Sequence, residues 1–91
     1  MVVARRYRVR GRVQGVGFRF HVEAAARREG VQGLVRNLPD GRVEVAAEGD
    51  AEAILRFEMA VRRGPLGARV DDVETEVLEP SGRFVGFSIS G

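Results

Sequence analysis

Gly11-Arg12-Val13-Gln14-Gly15-Val16-Gly17-Phe18-Arg19 is where the chain changes its period. Before it, from Arg5 to Val13, Tyr7, Val9, Gly11 and Val13 alternate with Arg6, Arg8, Arg10 and Arg12. This is the two-residue period of a half-buried strand. After it, Phe18, Val22, Ala25 and Ala26 share one face at helical spacing, Glu23 and Arg27 form an i,i+4 pair, and Gly30 follows as a C-terminal cap. A strand therefore enters a glycine loop and leaves it as a helix over residues 18–29. Gly15 and Gly17 carry no side chains, so main-chain N–H groups can converge there. The helix N-terminus adds unpaired donors and a partial positive charge. The natural occupant is a phosphate-like anion. Arg19 strengthens the reading, because a cation in a first helical turn opposes the helix dipole unless an anion is shared with it.

The rest of the chain supplies the scaffold. Residues 31–38 form a second strand, and Leu38-Pro39-Asp40-Gly41 turns it into a return strand over 42–48, with Val43, Val45 and Ala47 inward. Asp50 caps a second helix whose apolar stripe is Ile54, Phe57 and Val61, and Gly64-Pro65 ends it. A fourth strand spans 69–79 with Val73, Thr75 and Val77 on one face. A short terminal strand, Phe84 to Ser90, carries Val85, Phe87 and Ile89. The order β-α-β-β-α-β predicts an α+β, ferredoxin-like two-layer sandwich: an antiparallel sheet in the order 4-1-3-2 with a short fifth strand, and two helices on one face. Residues 1–91 read as a single domain.

Composition narrows the chemistry. There is no cysteine, which excludes a disulfide framework, a thiol nucleophile and thiolate metal sites. His21 is the sole histidine, too few for a multi-histidine metal centre, and it reads as a surface or boundary residue of the first helix. All fifteen basic residues are arginine, so a Schiff-base lysine and a Walker-type phosphate lysine are excluded as well. Neither a long apolar run nor a signal peptide is present, and the expected location is the cytoplasm. Asn37 is the sole asparagine. Few amides and no cysteine fit a heat-adapted source, and a GC-rich genome would produce the same bias.

In the predicted topology strands 1 and 2 run parallel with strand 3 between them. Their C-terminal ends open on one edge of the sheet, roughly 10 Å apart. The loop Gln14–Phe18, Arg19 and Asn37 therefore converge. Asn37, beside Leu38-Pro39, also reads simply as a turn initiator. The loop is neither a Walker A motif nor a complete dinucleotide fingerprint.

Val9-Arg10-Gly11-Arg12-Val13-Gln14-Gly15-Val16-Gly17-Phe18-Arg19 closely resembles the signature of the acylphosphatases. Gly33-Leu34-Val35-Arg36-Asn37, then Gly41-Arg42-Val43, then Gly49 resemble the family's second motif. The likeness covers essentially the whole chain. Leu34 departs from it, standing where the family usually has an aromatic. The resemblance implies hydrolysis of the carboxyl–phosphate bond of an acyl phosphate, giving a carboxylate and inorganic phosphate, with no metal or cofactor. It implies two catalytic residues. Arg19 binds phosphate together with the loop Gln14, Gly15, Val16, Gly17 and Phe18, and Asn37 positions the attacking water.

Two other readings compete. Ferredoxin-like folds also bind RNA, and Arg6, Arg8, Arg10 and Arg12 line one face of a central strand. However, the net charge is only +2, and Glu44, Glu48, Glu74 and Glu76 fall on the neighbouring strands of that face. Stacking aromatics and the RNP1 pattern are missing. The expectation is a small-molecule enzyme with neither nucleic-acid nor membrane partner. The same signature also occurs as a small domain of larger proteins that process carbamoyl phosphate. The chain ends where one domain ends, so a free-standing monomer is expected.

Overall fold

The computed structural model describes residues 1–90. Its elements are β1 (Val2–Arg12), α1 (Phe18–Glu29), β2 (Gln32–Asn37), β3 (Val43–Asp50), α2 (Ala51–Arg63), β4 (Arg69–Leu78) and β5 (Phe87–Ser90). The sheet order is β4-β1-β3-β2-β5. β1 pairs antiparallel with β3 on one side and with β4 on the other, and β3 pairs antiparallel with β2. The predicted order 4-1-3-2 is therefore the order of the first four strands.

The fifth strand corrects an expectation. β5 lies beside β2 and parallel to it, so the sheet is mixed rather than antiparallel. The segment before it carries the chain from the β4 edge to the opposite edge, where β5 runs in the direction of β2. Only Phe87–Ser90 pairs. Val85, expected on the strand's apolar face, lies outside it and is 99 % exposed.

The helix-facing side of the sheet holds the core. Tyr7 and Val9 from β1, Val13 just after it, Val35 from β2, and Val43, Val45 and Ala47 from β3 meet Phe18, Val22, Ala25 and Ala26 of α1 and Ile54, Phe57 and Val61 of α2. The period-2 and period-3.6 apolar positions are thus the buried ones. Phe57 sits among the rings, 6.3 Å from Tyr7 and 5.9 Å from Phe87 between centroids. Burial, reinforced by the nearby Glu58 carboxylate, pushes the Tyr7 hydroxyl pKa up, so the group stays neutral. The inward side of β4 is less covered: Val73 is half-buried, and Val77, at the sheet edge, is exposed.

The other face of the sheet carries the arginine stripe. Arg6 pairs with Glu76 at 3.2 Å, Arg8 with Glu44 at 3.0 Å and Glu74 at 3.5 Å, and Arg10 with Asp72 at 3.0 Å. Arg36 reaches Glu44 from β2 at 2.8 Å. Burial raises the Glu44 pKa, but the hydrogen bonds from Arg36 and Arg8 outweigh it and hold the carboxyl below its ordinary range. Glu48 departs from the expected neutralising role. Its carboxylate accepts from Ser81 Oγ at 2.6 Å and from the N–H groups of Ser81 and Gly82 at 3.0 Å each. The segment returning toward β5 crosses this end of the sheet and brings its own donors, so Glu48 anchors that segment.

Candidate active site

The site forms where β1 ends. Gly15 (φ +75°) and Gly17 (φ +79°) hold the loop in left-handed backbone that L side chains rarely adopt. A Cβ at either position would meet nothing within 4 Å, so the backbone angle, not crowding, selects glycine there. Gly17 is the N-cap of α1, and no side chain caps the helix. The first intrahelical bond runs from His21 N–H to the Gly17 carbonyl at 3.0 Å. N–H groups in the turn before it have no intrahelical acceptor and point out of the helix end. No acidic residue lies in the first turn of α1. No carboxylate of that turn offsets the positive end of the dipole, which faces the loop.

Asn37 arrives from the other motif. It ends β2 and is paired with Val43 of β3, which is paired in turn with Val9 of β1. The two strand ends thus lie two strand spacings apart on one sheet edge, as the topology predicts. Gln14 fastens them together. Its side-chain amide donates to the carbonyls of Leu38 and Arg42, at 2.9 Å each. The Leu38 N–H donates to the Arg42 carbonyl at 2.8 Å, and Asp40 accepts from the Arg42 N–H at 3.1 Å and pairs with its guanidinium at 2.8 Å. The Arg42 main-chain hydrogen bond leads the effects that keep the Asp40 carboxyl below its usual range. The hairpin tip that carries Asn37 is therefore braced from both sides.

Together these elements enclose a cleft of about 190 Å³. Val13 and Phe18, both buried, belong to its wall; Gly15, Gly17, Arg19, Phe20 and Asn37 line the rest. Among the described residues, Arg19 is the one ionisable side chain that lines it. Asn37 Oδ1 is buried and, among the described residues, accepts no hydrogen bond. A buried carbonyl oxygen left that way costs about 1–3 kcal/mol, which a donor brought into the cleft would offset.

The sequence-predicted residues divide accordingly. Gly15, Gly17, Phe18, Arg19 and Asn37 come together at the cleft. Gln14 and Val16 belong to the same loop but do not line it, and the Gln14 side chain is spent on the hairpin. His21 lies outside. It is half-buried, with Nε2 at 2.8 Å from the Ala60 carbonyl, joining α1 to α2. Leu34 faces away from the helices, paired with Ala46 and Ser88, and does not line the cleft. Phe20 is the lining residue that sequence reasoning missed. It falls off the apolar stripe of α1, and a large aromatic there, one position after Arg19, was the available signal.

Among the described residues, no group of three or more His, Cys, Asp or Glu side chains is placed to hold a metal ion. None of the helices is long and apolar enough to cross a membrane.

Comparison with known proteins places this geometry. Residues 5–89 match the family model described as Acylphosphatase. A protein of Koribacter versatilis named Acylphosphatase is 48 % identical over 87 residues, covering 96 % of this chain and 79 % of that relative. The crystal structure of the acylphosphatase from Bacillus subtilis superposes with a TM-score of 0.94 at 38 % identity, covering all of both chains. The structure of HypF from T. kodakarensis contains a similar unit, with a TM-score of 0.83 at 34 % identity; 98 % of this chain corresponds to only 12 % of that one.

Proposed function

The chain belongs to the acylphosphatase family of hydrolases, and from that premise we propose how its cleft hydrolyses an acyl phosphate. The phosphoryl group sits in the glycine loop. Main-chain N–H groups of the Gln14–Phe18 loop and the start of α1 donate to its oxygens, and the Arg19 guanidinium presents a planar fork to the same oxygens. For Gln14 and Val16 the contribution is the main-chain N–H, since the Gln14 side chain is engaged elsewhere. Asn37 Oδ1 accepts a hydrogen bond from a water and aims its oxygen at phosphorus.

Phosphoryl transfer places the attacking and leaving oxygens in line and spreads charge over the equatorial oxygens. The water oxygen forms the new P–O bond while the P–O bond to the acyl group breaks. The electron pair leaves with the acyl oxygen as a carboxylate. This leaving group needs no strong acid. Among the described residues, the only ionisable side chain lining the cleft is an arginine. The water proton therefore passes to a phosphate oxygen, and the product is inorganic phosphate. Positioning and fixed positive charge carry the reaction, with no role for a metal or cofactor.

The observation that carries this reading is that Asn37, whose Oδ1 is buried and unpartnered among the described residues, lines the cleft with Arg19. The ion-paired state of Arg6, Arg8 and Arg10 supports it against an RNA-binding sheet, since those charges are matched within the protein.

The test is hydrolysis of benzoyl phosphate with excess EDTA, alongside Asn37→Ala. The wild type is expected to turn over. Asn37→Ala is expected to lose about 10²–10³ in kcat, the scale for one preorganised donor in an active site, while inorganic phosphate still binds as a competitive inhibitor. Loss of phosphate binding in Asn37→Ala would remove the water-positioning role. A pH–rate profile that changes on His21→Ala would contradict the absence of a protein base.

A further inference from the structure

The acyl half of the substrate needs a surface of its own, and the cleft offers one. Phe18, Arg19 and Phe20 occupy the first turn of α1 about 100° apart around its axis. Phe18 points into the core and is 1 % exposed; Phe20, on the far side of Arg19, is 68 % exposed and lines the cleft. A single exposed apolar side chain is ordinary on any protein surface. Phe20 differs in its position, as the one large apolar residue of the cleft that is exposed to solvent.

In-line displacement sets the direction of departure. In the proposed mechanism the water is held by Asn37, whose Oδ1 is buried, and attacks from the inner end of the cleft. The leaving carboxylate must then depart opposite to it, toward the solvent-facing mouth. A phosphoryl group held by the loop and Arg19 presents its acyl substituent to the next residue along α1.

We propose that Phe20 is the acyl-binding wall of this active site and makes it favour acyl phosphates with aromatic or extended apolar acyl groups over acetyl phosphate. The inference rests on the cleft being the acyl phosphate site. The ring offers a flat apolar face to an acyl group that lies along it, in both the bound substrate and the transition state. Uniform binding of that kind lowers KM and leaves kcat unchanged.

Phe20→Ala and Phe20→Leu, each checked for an unchanged far-UV spectrum and melting curve, are assayed on benzoyl phosphate and acetyl phosphate, with inorganic phosphate as inhibitor. In Phe20→Ala the KM for benzoyl phosphate is expected to rise by about three- to ten-fold, the scale of one aromatic contact. The KM for acetyl phosphate, both kcat values and the phosphate inhibition constant stay within two-fold, as a rough bound on uniform effects. Phe20→Leu is expected to retain an apolar preference with a weaker benzoyl advantage. An equal change for both substrates, or a change in phosphate inhibition, would make Phe20 a loop-positioning residue and overturn the proposal. No change with either substrate would overturn it too. Failure of the wild type to hydrolyse either substrate would instead strike the underlying site assignment.

Discussion

At the start of α2, Asp50 accepts from the Glu52 N–H at 3.2 Å, Glu52 places an acid in the first turn, and the N-terminal amine pairs with Asp50 at 3.3 Å. At the start of α1 a left-handed glycine stands in the cap position, no side chain closes the helix, and the first turn carries Arg19 instead of an acid. The two helices have nearly the same length and lie on the same face of the same sheet. One N-terminus is completed by the protein. The other is laid open with a cation added, an arrangement that lowers the stability of the free helix and raises its affinity for an anion. What distinguishes the two helix starts is therefore a set of omissions.

The most damaging way to break this contrast is to remove the cation. Arg19→Ala is expected to lower kcat/KM by about 10³-fold or more, the range for arginines that stabilise transferring phosphoryl groups. Steady-state kinetics on benzoyl phosphate measures this. Thermal melts with and without phosphate sharpen it. A ligand at a hundred times its Kd stabilises the folded state by about 2.7 kcal/mol, and that gain should vanish in Arg19→Ala.

A smaller effect comes from closing the backbone. Gly17→Ala keeps the space open but forces an L residue to φ +79°, at a cost of about 1–2 kcal/mol. Melting temperature and activity should fall together, and Gly17→Asn, which tolerates left-handed backbone better, should fall less. If Gly17→Ala folded with full stability and activity, the left-handed cap would not be what shapes the site.

The smallest effect belongs to α2. Asp50→Ala should cost a few degrees of melting temperature and leave kcat unchanged. The hydrogen bond from the N-terminal amine leads the effects that hold the Asp50 carboxyl below its ordinary range. Because the folded-state pKa is the lower one, its stabilisation is present above the unfolded carboxylate range near about 4. It is lost as pH falls through the folded value. Acid melts of Asp50→Asn, which keeps an acceptor without the titrating charge, should show a shallower decline than the wild type. An equally steep decline would assign the acid sensitivity to the other carboxyls held low, those of Asp40, Glu44, Glu48 and Asp71.

How much of this was legible in the sequence followed the range of the interactions. The bounds of α1 were readable because glycines flank it, and Gly30 does cap it, donating to the Ala26 and Arg27 carbonyls. The hairpin was readable from Pro39-Asp40-Gly41, and the strand order from crossover handedness. Features set by distant partners were not. Glu48 looks on paper like another member of the charge ladder, and only the returning segment makes it the acceptor for Ser81 and Gly82. The last strand is four residues long and pairs through β2, so alternation alone could not exclude Val85 or give its direction. Gln14 reads as part of an anion loop, yet its side chain acts on the hairpin. At the cleft, Arg19 and Asn37 stood out because dipole and topology arguments are local or global. Phe20 did not, since its one signal, an aromatic beside Arg19 and off the apolar stripe, is not a periodic pattern.

The position of β1 at the centre of the sheet also sets when this molecule can fold. Its residues pair with β3, up to Val2 with Asp50, and with β4, up to Ala4 with Leu78. The first strand to leave a ribosome must therefore wait for nearly the last. Pairings so distant in sequence pay their loop-closure entropy before any contact returns it, and they place a domain among the slower two-state folders. During that wait β1 is an unpaired strand whose alternate side chains are Arg6, Arg8, Arg10 and Arg12. A row of like charges repels a second copy of itself, so the stripe that joins the sheet's ion pairs after folding keeps nascent chains apart before it.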